Sequence, residues 1–206
     1  METIGSGSST AGQGNGISVM EAIKSRRSIG KVKPDEVERE IIEALLEAAT
    51  WAPSHFNTQP WRFVVMTGEG RSKLGEGYAK VLEAASAGVE GAELEEKLQK
   101  ERAKAFRAPL VITAICSPSD DPRAERAEEL AAAQAAVHNL LLAAHAYGLG
   151  AIWRSGPPMY DPVMKRHFEL REDEEIVAFL YIGYPDMTPG QPRRSPVADK
   201  TIWLDS

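Results

Sequence analysis

The chain has a single cysteine, Cys116, among its 206 residues. One thiol cannot form an internal disulfide, so a disulfide framework and a metal cage built from cysteines alone are both excluded. Disulfides are typical of oxidising compartments, and we therefore expect a reducing compartment, with the cytoplasm as the default. Stability has to come from a buried core, which the 43% apolar composition of a single globular domain can supply.

Long apolar runs and an excess of positive charge are also lacking. No segment is apolar for long enough to cross a bilayer, and the Gly- and Ser-rich residues 1–16 lack the basic start and the apolar run of a signal peptide. A net charge of -6 provides no long-range attraction to nucleic acid or to an anionic membrane. We expect residues 1–16 to be a disordered tail and the ligand to be a small anion rather than a polymer.

Motifs for catalysis by side chains are absent as well. Gly68-Glu69-Gly70 follows a predicted strand but lacks the third glycine of a dinucleotide fingerprint. The chain has no Gly-rich phosphate loop, no serine nucleophile elbow and no ordered Cys, His and Asn set. His138 and His145 lie in one Ala-rich helix without a second ligand-rich segment, so we expect no metal site. If the chain is an enzyme, a cofactor carries the chemistry.

The apolar pattern predicts one domain over residues 17–206, in which strands alternate with helices. Apolar spacing, caps and prolines predict helices over residues 17–27, 35–52 and 122–147, with two charged helices within 71–106. Short apolar runs predict strands over residues 61–67, 109–116, 151–153 and 175–184. The charged helices suggest a solvated excursion, whereas the Ala-rich helix suits the core or a subunit interface. Residues 186–206 end in an apolar stretch that we expect to pack on a partner subunit.

A stiff polar loop, residues 52–60, precedes the first predicted strand. Pro53 and Pro60 fix their own φ and push the preceding residues towards extended geometry, so the loop has few conformations to lose on binding. Its side chains offer many hydrogen-bonding groups, and His55 can contact a phosphate or a ring edge. The loop is therefore a candidate binding site.

Two basic clusters can hold an anion through charge-assisted hydrogen bonds. Arg26-Arg27-Ser28 ends the first predicted helix, where a solvated pair interacting with the helix dipole is the alternative. Trp153-Arg154-Ser155 ends a predicted strand, where ligands of α/β proteins tend to lie. The alternative there is a core tryptophan beside an arginine in a surface ion pair. Spacing alone leaves both interpretations open.

In their order along the chain, these segments resemble the nitroreductase family of flavin mononucleotide (FMN) oxidoreductases, and within it the compact YdjA-type branch. The resemblance rests on the two basic clusters, on Ala52-Pro53-Ser54-His55 with Asn57 and Gln59-Pro60-Trp61, on Gly148-Leu149-Gly150-Ala151-Ile152, and on Phe179-Leu180-Tyr181-Ile182-Gly183-Tyr184-Pro185. It covers nearly everything from residue 17 to residue 185.

The resemblance implies an α+β fold, a three-layer sandwich with a mainly antiparallel sheet flanked by helices, built as an intertwined homodimer with FMN in the interface. It also implies the cofactor-binding residues, which come from several parts of the chain: Arg26, Arg27, Ser28, His55, Asn57, Trp153, Arg154, Ser155 and Arg194. His55 and Asn57 would reach the flavin across the dimer. Many relatives carry a further arginine near Lys31, so either Lys31 supplies that charge or the contact is absent.

The implied activity is a ping-pong reaction in which NADPH or NADH gives a hydride to flavin N5 and a nitroaromatic, quinone or similar acceptor then takes it. No catalytic side chain is implied. Three alternatives stay open: a non-enzymatic flavin carrier or sensor, a specialised relative that dehalogenates, dehydrogenates or fragments flavin, and a purely structural dimer. Residues 68–106, where relatives form a lid over the substrate, carry no pattern that identifies the acceptor.

Overall fold

The fold is built on one four-stranded antiparallel sheet. A computed structural model describes residues 16–86, 88 and 90–204, so the predicted tail lies outside the described residues except for Gly16. The strands are β1 (Trp61–Thr67), β2 (Leu110–Cys116), β3 (Gly150–Arg154) and β4 (Glu175–Gly183), in the spatial order β1-β2-β4-β3. All of β2 is buried, as is β4 after its first residue. The central strands therefore form the interior, and β1 and β3 form the edges.

Helices cover both faces of this sheet. The described residues form α1 (Val19–Ser25), α2 (Arg39–Thr50), α3 (Ser72–Ala85), α4 (Ala92–Ala103), α5 (Arg126–Ala146), α6 (Pro157–Tyr160) and α7 (Pro162–His167). On one face, Leu45 of α2 and Leu140 of α5 pack with Leu180 of β4. On the other face, Leu74 of α3 packs with Phe179 of β4. The predicted three-layer α+β sandwich is confirmed.

The Ala-rich helix α5 lies in the core. Ala133, Ala136 and Ala144 are buried within a single chain, in the cluster formed with α2 and the sheet. Their small side chains let the backbones of neighbouring elements approach closely. This face of α5 therefore belongs to the core rather than to a subunit interface.

Three helices are shorter than their sequence patterns predict, and one of them, α5, begins at Arg126 rather than at residue 122. α2 begins at Arg39 rather than at residue 35, because Glu38 has an extended backbone with φ -60° and ψ 141°. α1 ends at Ser25 rather than at residue 27, and its C-cap residue Arg26 is non-helical with φ -53° and ψ 134°. The predicted basic segment therefore leaves the helix and runs on as extended chain.

The prediction of a solvated excursion over residues 71–106 is wrong for α3. Leu74 is fully buried on the sheet, and α3 approaches α4 so closely that a Cβ at Gly75 would lie 2.8 Å from the carbonyl oxygen of Arg102. α4 is mostly exposed and carries ion pairs along its surface, such as Lys97 with Glu93 at 2.6 Å. The charges of α4 hid the apolar face of α3 in the sequence pattern.

The sequence pattern also missed α6 and α7. Both begin with proline, and the Asp161 carboxylate caps α7 by accepting a hydrogen bond from the Val163 N–H at 2.7 Å. Four and six residues are too few to give a helical periodicity. Among the described residues, none of the helices is both long and apolar enough to span a membrane.

Candidate functional site

The Arg26-Arg27-Ser28 segment runs beside the edge strand β3. The Ile29 N–H donates to the Ala151 carbonyl at 3.0 Å, and Ser28 forms a parallel bridge with Ala151. Further along, the Lys33 N–H donates to the Tyr184 carbonyl at 2.8 Å. These backbone contacts fix the predicted basic residues at the start of β3.

Three guanidinium groups lie close enough at this edge to interact electrostatically. The pKa of Arg26 is lowered by burial and then by the positive charges of Arg27 and Arg194. Within the described part of the chain, none of the three pairs with a carboxylate. Arg27 donates instead to the backbone carbonyls of Lys24 and Arg26, both at 2.7 Å. Half-buried positive charge without a counter-charge is suited to binding an anion.

A cavity of about 320 Å³ opens beside Arg26 and Arg27. His145 lies in its wall, with Nε2 2.7 Å from the Ser25 hydroxyl. Burial and the charges of both arginines lower the pKa of His145. Sequence reasoning considered His145 only as a metal ligand and missed Ser25, because the ends of α1 and α5 meet only in the folded chain. Their location makes both residues part of the candidate site.

The second basic cluster lies along and after β3. Trp153 packs with the core cluster of α2 and α5, while the Arg154 guanidinium lies on the opposite face, 5.4 Å from the centre of the Tyr181 ring. The sequence placed these two side chains together, but neighbouring strand residues point to opposite faces. Arg154 Nε is buried and has no hydrogen-bond partner among the described residues. Ser155 follows the strand and is exposed.

The polar loop is strained and tied to α5. Phe56 and Asn57 have positive φ angles of 53° and 55°, and His55 Nδ1 lies 2.6 Å from a carboxylate oxygen of Glu128. Asn57 is exposed and has no side-chain hydrogen bond among the described residues. Sequence reasoning identified the loop but not the carboxylate that holds His55.

The structure does not bring this loop to the arginine cluster within one chain. β1 follows the loop, and its first residue, Trp61, pairs with Cys116, which in turn pairs with Glu175 at the start of β4. Ala151 pairs with Ile182 near the opposite end of β4. His55 and Asn57 therefore lie at one corner of the sheet, and Arg26, Arg27, Ser28 and Arg194 lie towards the diagonally opposite corner.

The thiol of Cys116, which pairs with Trp61 near the polar loop, is not an activated nucleophile. Burial raises the pKa of the Cys116 thiol to about 11, so it is a poor thiolate source at neutral pH. Among the described residues, no group of three or more His, Cys, Asp or Glu side chains is arranged to hold a metal ion.

Comparisons with known proteins identify the family of the chain. The sequence model of the nitroreductase family matches residues 23–184. The "Putative NAD(P)H nitroreductase YdjA" of Escherichia coli (strain K12) is 36% identical over 170 residues, which are 82% of this chain and 88% of that protein.

Solved structures with the same fold include a nitroreductase-like family protein from Bacillus cereus. It is 32% identical, with a TM-score of 0.79 over 92% of this chain and 97% of that one. A "putative nitroreductase in complex with FMN" from Desulfovibrio desulfuricans is 26% identical, with a TM-score of 0.69 over 90% of this chain and 95% of that one. By its sequence match and its fold, the chain belongs to the nitroreductase family.

Proposed function

We propose that the protein is an FMN-dependent oxidoreductase that passes a hydride from NADPH or NADH to a nitroaromatic, quinone or similar acceptor by a ping-pong mechanism. The observation that carries this proposal is that Arg26 and Arg27 line a cavity and that the charge of Arg194 acts on Arg26, while none of the three has a carboxylate partner in the described chain. The relative named as an NAD(P)H nitroreductase and the structural neighbour in complex with FMN support it.

The residues present fit FMN. Arg26, Arg27 and Arg194 would bind the phosphate, with Ser28 beside it. From Ala151, the rest of β3 and the residue after it, Ser155, span four residue steps, about 13 Å at strand spacing, which suits the length of the ribityl chain and ring. The buried Arg154 Nε lacks an acceptor, as expected next to a missing polar ligand.

FMN supplies hydride transfer through its N5 atom when it is bound. The residues of this chain bind, orient and stabilise charge. Guanidinium groups along β3 favour an anionic ligand, and the apolar wall of the cavity, including Leu141 and Leu149, limits the access of water. We assign no side chain as a proton donor to the acceptor.

We propose that the protein acts as a homodimer, with His55 and Asn57 of one protomer completing the flavin site of the other. The diagonal separation of the two corners supports this arrangement. The C-terminal segment supports it too, because Ile202, Trp203 and Leu204 are 87%, 78% and 90% exposed on the single chain. Side chains this apolar gain about 1.5–3 kcal/mol each when fully buried.

Removing residues 201–206 is therefore expected to raise the dissociation constant of the dimer at least about a hundredfold, because three apolar anchors are lost. Analytical ultracentrifugation over a range of protein concentrations measures this constant. Arg194 is retained in this variant, so any loss of dimer is separate from the loss of a phosphate ligand. An unchanged constant would reject the packing of this tail on the partner.

We further propose a cytoplasmic location, which the single, buried Cys116 supports. A flavin carrier or sensor and a specialised relative on the same fold are the rival functions. They differ from the proposed reductase in turnover rather than in cofactor.

The test is the visible absorption spectrum of the purified protein, followed by addition of NADPH or NADH without oxygen. Flavin bands that bleach, and that return when a nitroaromatic or quinone is added, would establish the reductase. Bands that persist with both donors would favour a carrier or a specialised relative. A protein that shows no flavin bands even after incubation with FMN would refute the proposal and favour the purely structural dimer.

A further inference from the structure

The backbone of the polar loop needs support from outside the loop. Phe56, Asn57 and Gln59 have φ angles of 53°, 55° and 51°. Residues other than Gly and Asn avoid this left-handed region of the backbone. Holding such a residue there costs about 1 kcal/mol or more of conformational free energy. Backbone bonds within the loop, such as the Asn57 N–H to the Ser54 carbonyl at 3.0 Å, close its turn. They do not fix its position on the domain.

That position is fixed by the start of α5 and the residues before it. The Thr58 hydroxyl donates to the buried Glu129 carboxylate, whose other oxygen accepts a hydrogen bond from the Ser119 N–H at 2.8 Å. The Arg123 guanidinium lies 4.3 Å from the centre of the Phe56 ring. The loop is therefore clamped at Phe56 and at Thr58, within its strained stretch.

A third contact acts on the imidazole of His55. Its Nδ1 lies 2.6 Å from Glu128 Oε2, and its face stacks on Phe56 with ring centres 3.9 Å apart and planes 14° apart. An ionised carboxylate can only accept a hydrogen bond, so Nδ1 carries the proton. Nε2 has no hydrogen-bond partner among the described residues. The contacts with Glu128 and Phe56 hold the ring, and with it Nε2, in one orientation. In the neutral ring, Nε2 is then a hydrogen-bond acceptor.

We propose that Glu128 is a positioning residue for His55. Its carboxylate fixes the tautomer and the direction of the imidazole, so that Nε2 accepts a hydrogen bond from a hydroxyl or N–H of the flavin bound across the dimer. This inference rests on the proposed function. The side chains of His55 and Glu128 are 54% and 46% exposed, so the pair adds little to stability and its effect is on orientation.

The first test is the ¹⁵N NMR spectrum of the histidine side chains in the flavin-free protein. The chain has four histidines, and His55→Gln assigns the signal of His55. The wild type is expected to show His55 protonated at Nδ1, and Glu128→Ala is expected to shift it towards the Nε2-protonated form. Glu125→Ala removes the same charge three residues earlier and is the matched control. A His55 signal that Glu128→Ala leaves unchanged would overturn the proposal.

The second test is a double-mutant cycle on FMN affinity, measured by flavin fluorescence. His55→Ala and Glu128→Ala are each expected to raise the dissociation constant about 5- to 10-fold, and the double variant no more than either alone. Glu128→Gln keeps an acceptor for the Nδ1 proton and is expected to stay within about twofold of the wild type.

Fully additive losses in the cycle would contradict the proposal. A wild type that binds no FMN would instead refute the proposed function and the flavin contact with it. The NMR spectrum would still report separately whether Glu128 orients His55, so the two failures are distinguishable.

Discussion

Replacing Arg26 with alanine is expected to raise the dissociation constant for FMN by about 10- to 150-fold. One charge-assisted contact to a phosphate is worth about 1.5–3 kcal/mol, which converts to that range. Arg26 is half-buried between Arg27 and Arg194. Removing one of three repelling cations also means that the stability of the flavin-free protein should not fall. Fluorescence titration and urea unfolding of the flavin-free variant measure the two quantities.

A matched control is Arg166→Ala. Arg166 lies in α7, is exposed and forms no ion pair or side-chain hydrogen bond among the described residues. The Arg166→Ala substitution removes the same charge from the protein, and we expect its FMN dissociation constant to stay within about twofold of the wild-type value. If Arg26→Ala retained FMN as tightly as Arg166→Ala, the phosphate would have to bind away from this edge of the sheet.

Replacing Gly150 with alanine is expected to lower the free energy of unfolding by about 1–3 kcal/mol. A Cβ at this position would lie 2.6 Å from Cγ2 and 2.8 Å from Cβ of Ile29. Ile29 is buried, branched at Cβ and bonded through its backbone to Ala151, so it cannot move without moving Ser28. The substitution should therefore also weaken FMN binding, because it pushes the arginine segment away from β3.

A second substitution, at Ile29, tests whether the loss of stability in Gly150→Ala comes from the collision with Ile29. In Ile29→Gly with Gly150→Ala both colliding atoms of Ile29, Cγ2 and Cβ, are gone, so the double variant should be no less stable than Ile29→Gly alone. Gly70→Ala is the control, because a Cβ at Gly70 would meet no atom within 4 Å. Independent, additive destabilisation in urea unfolding would show that Gly150 matters for a reason other than its contact with Ile29.

The sheet could be predicted from the sequence because its signals are local. β1 covers Trp61–Thr67 as predicted, and β2 begins one residue after the predicted start, at Leu110. Both runs are apolar, and each begins directly after a proline, Pro60 or Pro109. α6 and α7 are too short for any periodicity, and the buried face of α3 was masked by the charged residues that follow it.

The candidate site was less predictable, because its contacts join distant parts of the chain. Ser25 and His145 are 120 positions apart, and His55 and Glu128 are 73 apart. Neither partner carries a local signal of the contact. The resemblance to the family supplied Arg26 and Arg194, and the fold places them together. The same resemblance gave no indication of Glu128, since an exposed glutamate in a charged helical turn has no distinctive pattern.

The strands of the sheet differ in burial, so their backbone hydrogen bonds differ in the free energy of local unfolding. β2 and β4 are buried on both faces. Among the described residues, the segment that carries Arg26 is attached to β3 through the bridge of Ser28 with Ala151 and the backbone hydrogen bond of Ile29. Amide hydrogens in the centre exchange through global unfolding, and those at such an edge exchange through small local openings. We therefore expect the amide of Ile29 to exchange faster than those of β2 and β4, which native-state hydrogen exchange would measure.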